Sequence, residues 1–427
     1  MPKYLKLSIL LNMTAEIRTS DGELLSVKLK KVERRRRTTA FLLAAPLLFF
    51  IVFAYVIPIF QMLGRSIDNA EMNSFLTETH EVMQTWDGSE MPGEDVTSTF
   101  YYELKTAVEN KYHGKIATRL NYEKGGFTSL IKKTSRKLKN FDENANFLDQ
   151  FIDVHKKWGD IEYWQALKRG TDAYHFRKYL TTFDYEQKFD GSIERIPEKL
   201  RINVTLWLRT IFVAVGVTFC CFILAYPISH LLSVLPTRYS NLLMICVLLP
   251  FWTSLLVRTS SWMVLLQKQG VLNDTLVSLG FVADESRLEL MYNMTGTFIA
   301  MTQILLPFMV LPLYSVMKTI SPSLMRAATS MGATPFHAFR KIYFPLTYAG
   351  ISAGSILVFV LAIGYYITPA LVGGAKGILI SNRIAYHMQQ SLDWSLATAM
   401  ATVLLIAVLV VYWLYNKIVG IDNMRLG

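Results

Sequence analysis

Six long stretches of this chain contain no Asp, Glu, Lys or Arg, and they restrict the fold more than any other feature. They cover residues 38–64, 210–237, 239–257, 290–317, 342–375 and 394–416. Each is at least 19 residues long and rich in Leu, Ile, Val, Phe and Ala. Roughly 20 mostly apolar residues, wound as a helix, cross the hydrocarbon core of a bilayer. Buried helices of a soluble core rarely supply six such runs in one chain, so the windows predict an all-α membrane protein with six transmembrane helices. Ordinary soluble domains carry about 25% charged residues; this chain carries 18%.

The placement of the charges orients these windows. Residues 1–37 form a basic N-terminal segment with ten Lys and Arg side chains, ending in Arg34–Arg37 directly before the first window. That cluster predicts a cytoplasmic N-terminus. The window after it is too long for a signal-peptide core and has no small-residue cleavage site behind it. Six crossings return the C-terminus to the cytoplasm, and Arg238, Lys318, Arg326, Arg340, Lys341, Lys417 and Arg425 all fall on expected cytoplasmic segments. Parity places residues 65–200 outside, in the periplasm. This block holds 20 basic and 23 acidic residues, a net −3, against +14 for the remainder. The overall +11 is therefore an orientation signal, and nucleic acid is not needed to explain it. Phe147, Phe151, Val154 and Trp158, then Ile161, Trp164 and Leu167, repeat at helical spacing, so the insertion is expected to be mainly helical. At about 135 residues it can bury a core of its own. Cys220, Cys221 and Cys246 sit inside windows as small packing residues, without metal or redox spacing.

The soluble segment richest in local signals joins the fourth and fifth windows, residues 318–345. Ser321 before Pro322 is an N-cap with proline at the first helical position. A short helix from Ser323 to Ser330 should end at Gly332, which suits a left-handed position. Thr334 and Pro335 repeat the start signal. A second helix is expected to run to about Tyr343, with Phe336, Phe339 and Tyr343 on one face and Pro345 stopping it. The product is a compact, capped elbow on the cytoplasmic surface.

Ala327-Ala328, Gly332, Ile342 and Pro345 resemble the EAA loop of ABC-importer permeases. The runs 208–232, 248–280, 364–374 and 380–394 extend the likeness to the spermidine–putrescine (polyamine/opine-type) permease branch, over nearly all of 201–427 plus the first window. The resemblance implies the type I permease fold and a coupling loop, 318–345, that docks on a cytoplasmic ATPase. The residues it assigns to coupling are Arg326, Ala327, Ala328, Gly332, Ala333, Phe339, Ile342 and Pro345. Arg326 stands where the motif opens with an acidic residue, so the usual carboxylate–cation pairing would be rearranged. The block at 65–200 is not covered by the likeness. The implied partners are a second, usually different, permease subunit, an ABC ATPase dimer and a periplasmic solute-binding protein, besides the lipid itself. No cofactor is expected in this chain, since ATP and Mg belong to the ATPase.

Within the windows the pathway candidates are Arg258, Trp262, Tyr365, Tyr366 and Thr368. Arg258, at the outer end of the third window, either lines a substrate path or snorkels in an aromatic belt with Trp252 and Trp262; the second is favoured. Tyr365, Tyr366 and Thr368 precede Pro369. They either present aromatic faces to an ammonium substrate beside a proline-broken helix, or form an interfacial tyrosine pair with a terminating proline. No carboxylate lies in any window, so a polyamine would meet its acidic partners elsewhere. Gly350 and Gly354, with Ala349 and Ala353, give the spacing of closely packed helices. His230 fits an ordinary interfacial histidine. Phosphate-loop, nucleophile-elbow and metal-ligand motifs are absent from the sequence, so no enzymatic activity is expected and ATP hydrolysis falls to another chain.

Two other classes were weighed. A receptor sensing ligand through 65–200 would want a cytoplasmic output domain, and only about ten residues follow the last window. A secondary transporter would want internal repeats and buried acidic relays, and neither is seen. The expected protein is an importer permease that forms half of a pathway for a small solute, such as a polyamine, an opine or a related amine or amino-acid derivative. The block at 65–200 either docks or gates the binding protein or merely stabilises assembly.

Overall fold

The computed structural model describes residues 25–189 and 191–419; residues 1–24 of the basic segment and Arg425 lie outside them. The chain divides into two compact units, Met1–Gly64 and Arg65–Gly427.

The first unit contains helix α1 (Leu25–Ile51), a π-helical turn over Val52–Val56 and helix α2 (Ile57–Gly64). Helix therefore begins well before the expected boundary at residue 38 and includes the arginine cluster, where Arg37 pairs with Glu33 at 2.6 Å. The wide turn lies just ahead of Pro58, whose missing N–H and bulky ring disfavour ordinary i→i−4 pairing.

In the second unit, residues 65–200 fold as a bundle of short helices, with the longest, Glu94–Glu109, at its middle. Phe100, Phe151, Trp158 and Trp164 are fully buried and mutually in contact, with ring centroids 4.8–5.9 Å apart. Both indoles are satisfied: Trp158 donates to Thr134 Oγ1 and Trp164 to the Trp158 carbonyl. The period expected through 147–167 is split. Phe147–Val154 ends at an extended His155, and Ile161–Thr171 starts afresh with Asp160 as its N-cap. A two-stranded antiparallel hairpin, Tyr185–Gln187 against Ile193–Arg195, was not anticipated.

The principal remaining helices are α3 (Asn203–Val234), α4 (Thr237–Leu248), α5 (Leu255–Leu266), α6 (Met294–Thr319), α7 (Pro322–Ser330), α8 (Pro335–Ala338), α9 (Tyr348–Gly364), α10 (Ile367–Val372), α11 (Ile380–Gln389) and α12 (Trp394–Val419), with short segments such as Val271–Ser278 and Phe344–Leu346 between them. Helices α3, α6 and α9 pack together around Val213, Val217, Met301, Leu305, Met309 and Val358. Close approach of α9 to α6 depends on the two glycines read from spacing. A Cβ at Gly354 would sit 2.6 Å from Met309 Sδ, and one at Gly350 would sit 3.0 Å from Leu313 Cα. Cys221 is buried in the same core and its thiol reaches the Thr302 carbonyl.

Among the described residues, four helices are long and apolar enough to cross a bilayer: Leu29–Gly64, Asn203–Val234, Met294–Thr319 and Trp394–Lys417. Two of the six expected spans are instead bent pairs. Thr237–Trp252 and Leu255–Ser278 meet at 100°, and Pro335–Leu346 and Tyr348–Gly364 meet at 58°. The third window thus runs straight through a break at Thr253–Ser254. The fifth begins inside the elbow and ends beyond α10. Hydropathy registers apolarity along the chain and is blind to a turn whose backbone groups are satisfied by neighbours.

Candidate functional site

Two regions gather the residues singled out by sequence. The first is the elbow. Ser321 accepts from the Ser323 N–H, with Pro322 at the first helical position of α7. At the other end Gly332 adopts φ +89°. Its N–H reaches the Thr329 carbonyl, and the Ala333 N–H reaches that of Ala328. This pair of bonds is the Schellman closure, which settles the last carbonyls of a helix and favours glycine at its left-handed residue. Thr334 then caps α8 through the His337 N–H.

Beyond α8 the structure departs from the expected helix. Phe339–Tyr343 is a π-helical turn, and Pro345 does not stop the run, which continues through Phe344–Leu346 before the bend. As at Pro58, the wide turn lies just ahead of the proline, whose missing N–H and ring disfavour ordinary i→i−4 pairing. Phe336 is also not on the face expected: it is 73% exposed, whereas Phe339 is half-buried and Tyr343 buried. The side chains of α8 and the turn separate into two faces. Ala338 and Tyr343 point inward, and Phe336 points away.

The elbow is held to the spans by one contact that sequence spacing did not suggest. Tyr343 OH lies 3.0 Å from His230 Nδ1 of α3, and the His230 ring packs edge-on against Phe339 and Tyr343. Lys318 Nζ also donates to the Ser233 carbonyl. A cavity of about 550 Å³ lies between the elbow and the ends of α3 and α6, lined by His230, Lys318, Met325, Phe339 and Tyr343 among others. On the opposite side the elbow presents Arg326, Ala327, Gly332 and Pro345, all exposed, together with Met331 at 81% exposure. Ala328 is buried, and Ala333 and Ile342 are half-buried. Apart from its own chain neighbours, no atom of the described residues lies within 4 Å of where a Gly332 side chain would begin.

The second region is where the break that follows α9 meets α5. Helix α9 ends at Gly364, and α10 begins at Ile367 with Pro369 inside its first turn. The break therefore falls three residues before the expected proline. Proline fits there because first-turn donors have no intrahelical partner. Thr368 of α10 and Thr259 of α5 are both fully buried, with hydroxyls 3.2 Å apart. Since Thr259 donates to the Leu255 carbonyl, Thr368 is the donor between them. Trp262, one turn further along α5, donates to Gln303 Oε1 of α6 at 3.0 Å. Helix α11 donates to both carbonyls at the break: Ser381 Oγ to Tyr365 O, which the missing N–H of Pro369 leaves without a helical donor, and Asn382 Nδ2 to Tyr366 O, which also accepts from the Ala370 N–H. Unwound backbone at membrane depth survives only with such partners.

Arg258 stands apart from this junction. Its guanidinium reaches back to the Thr253 carbonyl at 3.0 Å, closing the 100° bend, and its Nε is buried without a hydrogen-bond partner among the described residues. Tyr366 is 39% exposed and Tyr365 half-buried. Sequence reasoning missed His230, Gln303, Ser381 and Asn382, whose partners are distant in sequence and leave no local pattern.

A family profile described as the binding-protein-dependent transport system inner membrane component matches residues 222–419. The spermidine/putrescine transport system permease protein PotB of Escherichia coli (strain K12) is 34% identical over 216 residues, which are 50% of this chain and 78% of that protein. The inner membrane ABC transporter permease protein YdcU of the same strain is 33% identical over 232 residues, 51% of this chain and 72% of that one. A solved bacterial ABC transporter involved in import of the acidic polysaccharide alginate aligns with TM-score 0.45 and 17% identity, covering 70% of this chain and 99% of that chain.

Proposed function

The chain belongs to the family of binding-protein-dependent transport inner membrane components, the permeases of ABC importers, and from that membership we propose how its parts divide the work. It is a multi-pass permease subunit of the inner membrane. Each bent pair counts as one crossing, which makes six, with the basic segment and the elbow in the cytoplasm and residues 65–200 in the periplasm. An ATPase dimer, carrying ATP and Mg, grips the elbow at 318–345. A second permease subunit completes the pathway, and a periplasmic solute-binding protein delivers the cargo. The relative named for spermidine/putrescine transport favours a polyamine, within the wider class of small amines, opines and amino-acid derivatives.

The observation that carries this reading is the outward face of the elbow. A rigid turn, closed at both ends by caps, leaves Met331 and Phe336 exposed with open space at Gly332. Side chains of this size on a fixed loop suit insertion into a groove of another protein. ATP binding would draw two such elbows together, and the His230–Tyr343 contact would pass the movement to α3. The Thr259–Thr368 junction, beside Trp262 and Tyr365, is the part of the pathway such a movement opens or shuts.

The test is co-purification. The unaltered chain should bring an ATPase out of membranes, and Gly332→Trp should lose it while the permease still folds and inserts. A complex that survives the substitution with uptake intact would sink the elbow assignment.

A further inference from the structure

The 65–200 block is tied to the rest of its unit at two places. One is adjacent in sequence: Asp184 caps the start of α3 by accepting from the Asn203 and Val204 N–H groups at 3.0 and 2.8 Å. The other is remote in sequence. Lys178 Nζ pairs with Asp393 Oδ2 at 3.2 Å, with both side chains about nine-tenths buried. Tyr122 OH donates to the Ser391 carbonyl, and Ser395 Oγ to that of Ser66. All three bonds hold the turn Ser391–Ser395, between α11 and α12.

Behind this joint lies a buried charge network. Glu123 is flanked by Arg119 and Arg177, each at 3.5 Å. Burial pushes its carboxyl upward, but Lys178, Arg177 and Arg119 outweigh burial and hold it below the ordinary value. Arg119 also donates to His175 Nε2 and, through Nε, to Asn69 Oδ1. Leu392 sits at φ +56°, a conformation a branched residue keeps only when its surroundings impose it.

From the clamped turn, α11 runs ten residues, about 15 Å, to the other bonds already described. Its first turn carries Ser381 and Asn382, which hold the Tyr365 and Tyr366 carbonyls at the break before α10. Its start is fixed as well: the Ile380 N–H donates to Thr210 Oγ1 of α3, and the Leu379 N–H to Asn382 Oδ1. One short helix therefore has the external block at one end and the broken turn of the pathway at the other.

We infer that α11 is a strut through which the 65–200 block sets the geometry of the Tyr365–Thr368 turn, with Lys178, Asp393 and Asn382 as positioning residues. This rests on the permease reading and adds a role for the insertion that the matched family segment, 222–419, does not cover. A binding protein that tilts or loads the block would shift Asp393, and the strut would carry that shift to the carbonyls whose partners keep the break in place.

The test uses the whole importer, permeases with ATPase and binding protein, in nanodiscs. Basal and binding-protein-stimulated ATP hydrolysis are compared. Asp393→Asn keeps an acceptor for the Leu396 N–H, which Asp393 caps, and removes the charge facing Lys178. Asn382→Ala removes the far end of the strut. Each should cut stimulated hydrolysis at least fivefold and leave basal hydrolysis within twofold. The double variant should be no worse than the more affected single one, because both act on one route. If Asp393→Asn fails to assemble, Tyr122→Phe loosens the same joint by one hydroxyl and should show the same selective loss. Multiplying effects, or basal and stimulated rates falling in step, would overturn the strut. Failure of the permease reading has its own readout, the absence of ATPase from the unaltered complex.

Discussion

Gly332 shows how much one residue can decide. Its φ of +89° lets two N–H groups turn back on α7, and its bare face leaves room for a partner. The two roles separate by substitution. Asparagine tolerates the left-handed region, whereas a β-branched side chain there costs about 1–2 kcal/mol. Gly332→Val should therefore lower the thermal stability of the purified chain, and Gly332→Asn should leave it close to unchanged. If the face is where the ATPase docks, Gly332→Asn should still weaken ATPase binding, measured by the fraction retained on co-purification. Arg326 is exposed as well; if the ATPase docks here, its charge must be met by the partner.

At the scale of elements, the elbow is stiff and attached, as the proposed lever requires. Caps at Ser321 and Thr334 and the Schellman turn fix its shape, while His230 and Tyr343 fix its angle to α3. Replacing His230 with leucine removes a hydrogen bond worth about 1 kcal/mol but keeps the bulk that packs on Phe339. Uptake should fall several-fold, whereas ATPase co-purification stays at the unaltered level. Equal loss of both would mean that His230 shapes the docking face rather than the linkage. The broken helices follow a related logic. Ser381 gives the Tyr365 carbonyl the donor that Pro369 cannot supply, and Thr368, Thr259 and Asn382 tie the broken ends to neighbouring helices, so the break can persist where water is scarce.

At the scale of the molecule, the 65–200 block and the helices it meets share buried ionisable groups, so stability should depend on pH. Burial, and next the neighbouring Arg119, bring His175 down to about 4; burial, and next Arg383, do the same to His387. Both are neutral in the folded chain, and His175 must be, since its Nε2 accepts from Arg119. Between pH about 6.5 and about 4 the unfolded chain binds more protons than the folded one, so stability is lost as pH falls through that window. The melting temperature should drop between pH 7 and pH 5, and a His175→Gln, His387→Gln variant should show a shallower slope. Much of the architecture was readable without coordinates. Charge-free windows, the arginine cluster, the capped elbow and the glycine spacing of α9 are local signals, because helix propensity, capping and hydropathy act over a few residues. The tie of the Tyr365 break to α11, the His230–Tyr343 contact and the Lys178–Asp393 joint are not local. Each joins residues tens to hundreds of positions apart, and each exists because a buried donor, acceptor or charge has to find its partner wherever packing happens to bring one. The sequence by itself determined which segments are apolar, which are capped and which family they belong to; only the tertiary structure decided where the helices break and what holds the broken ends.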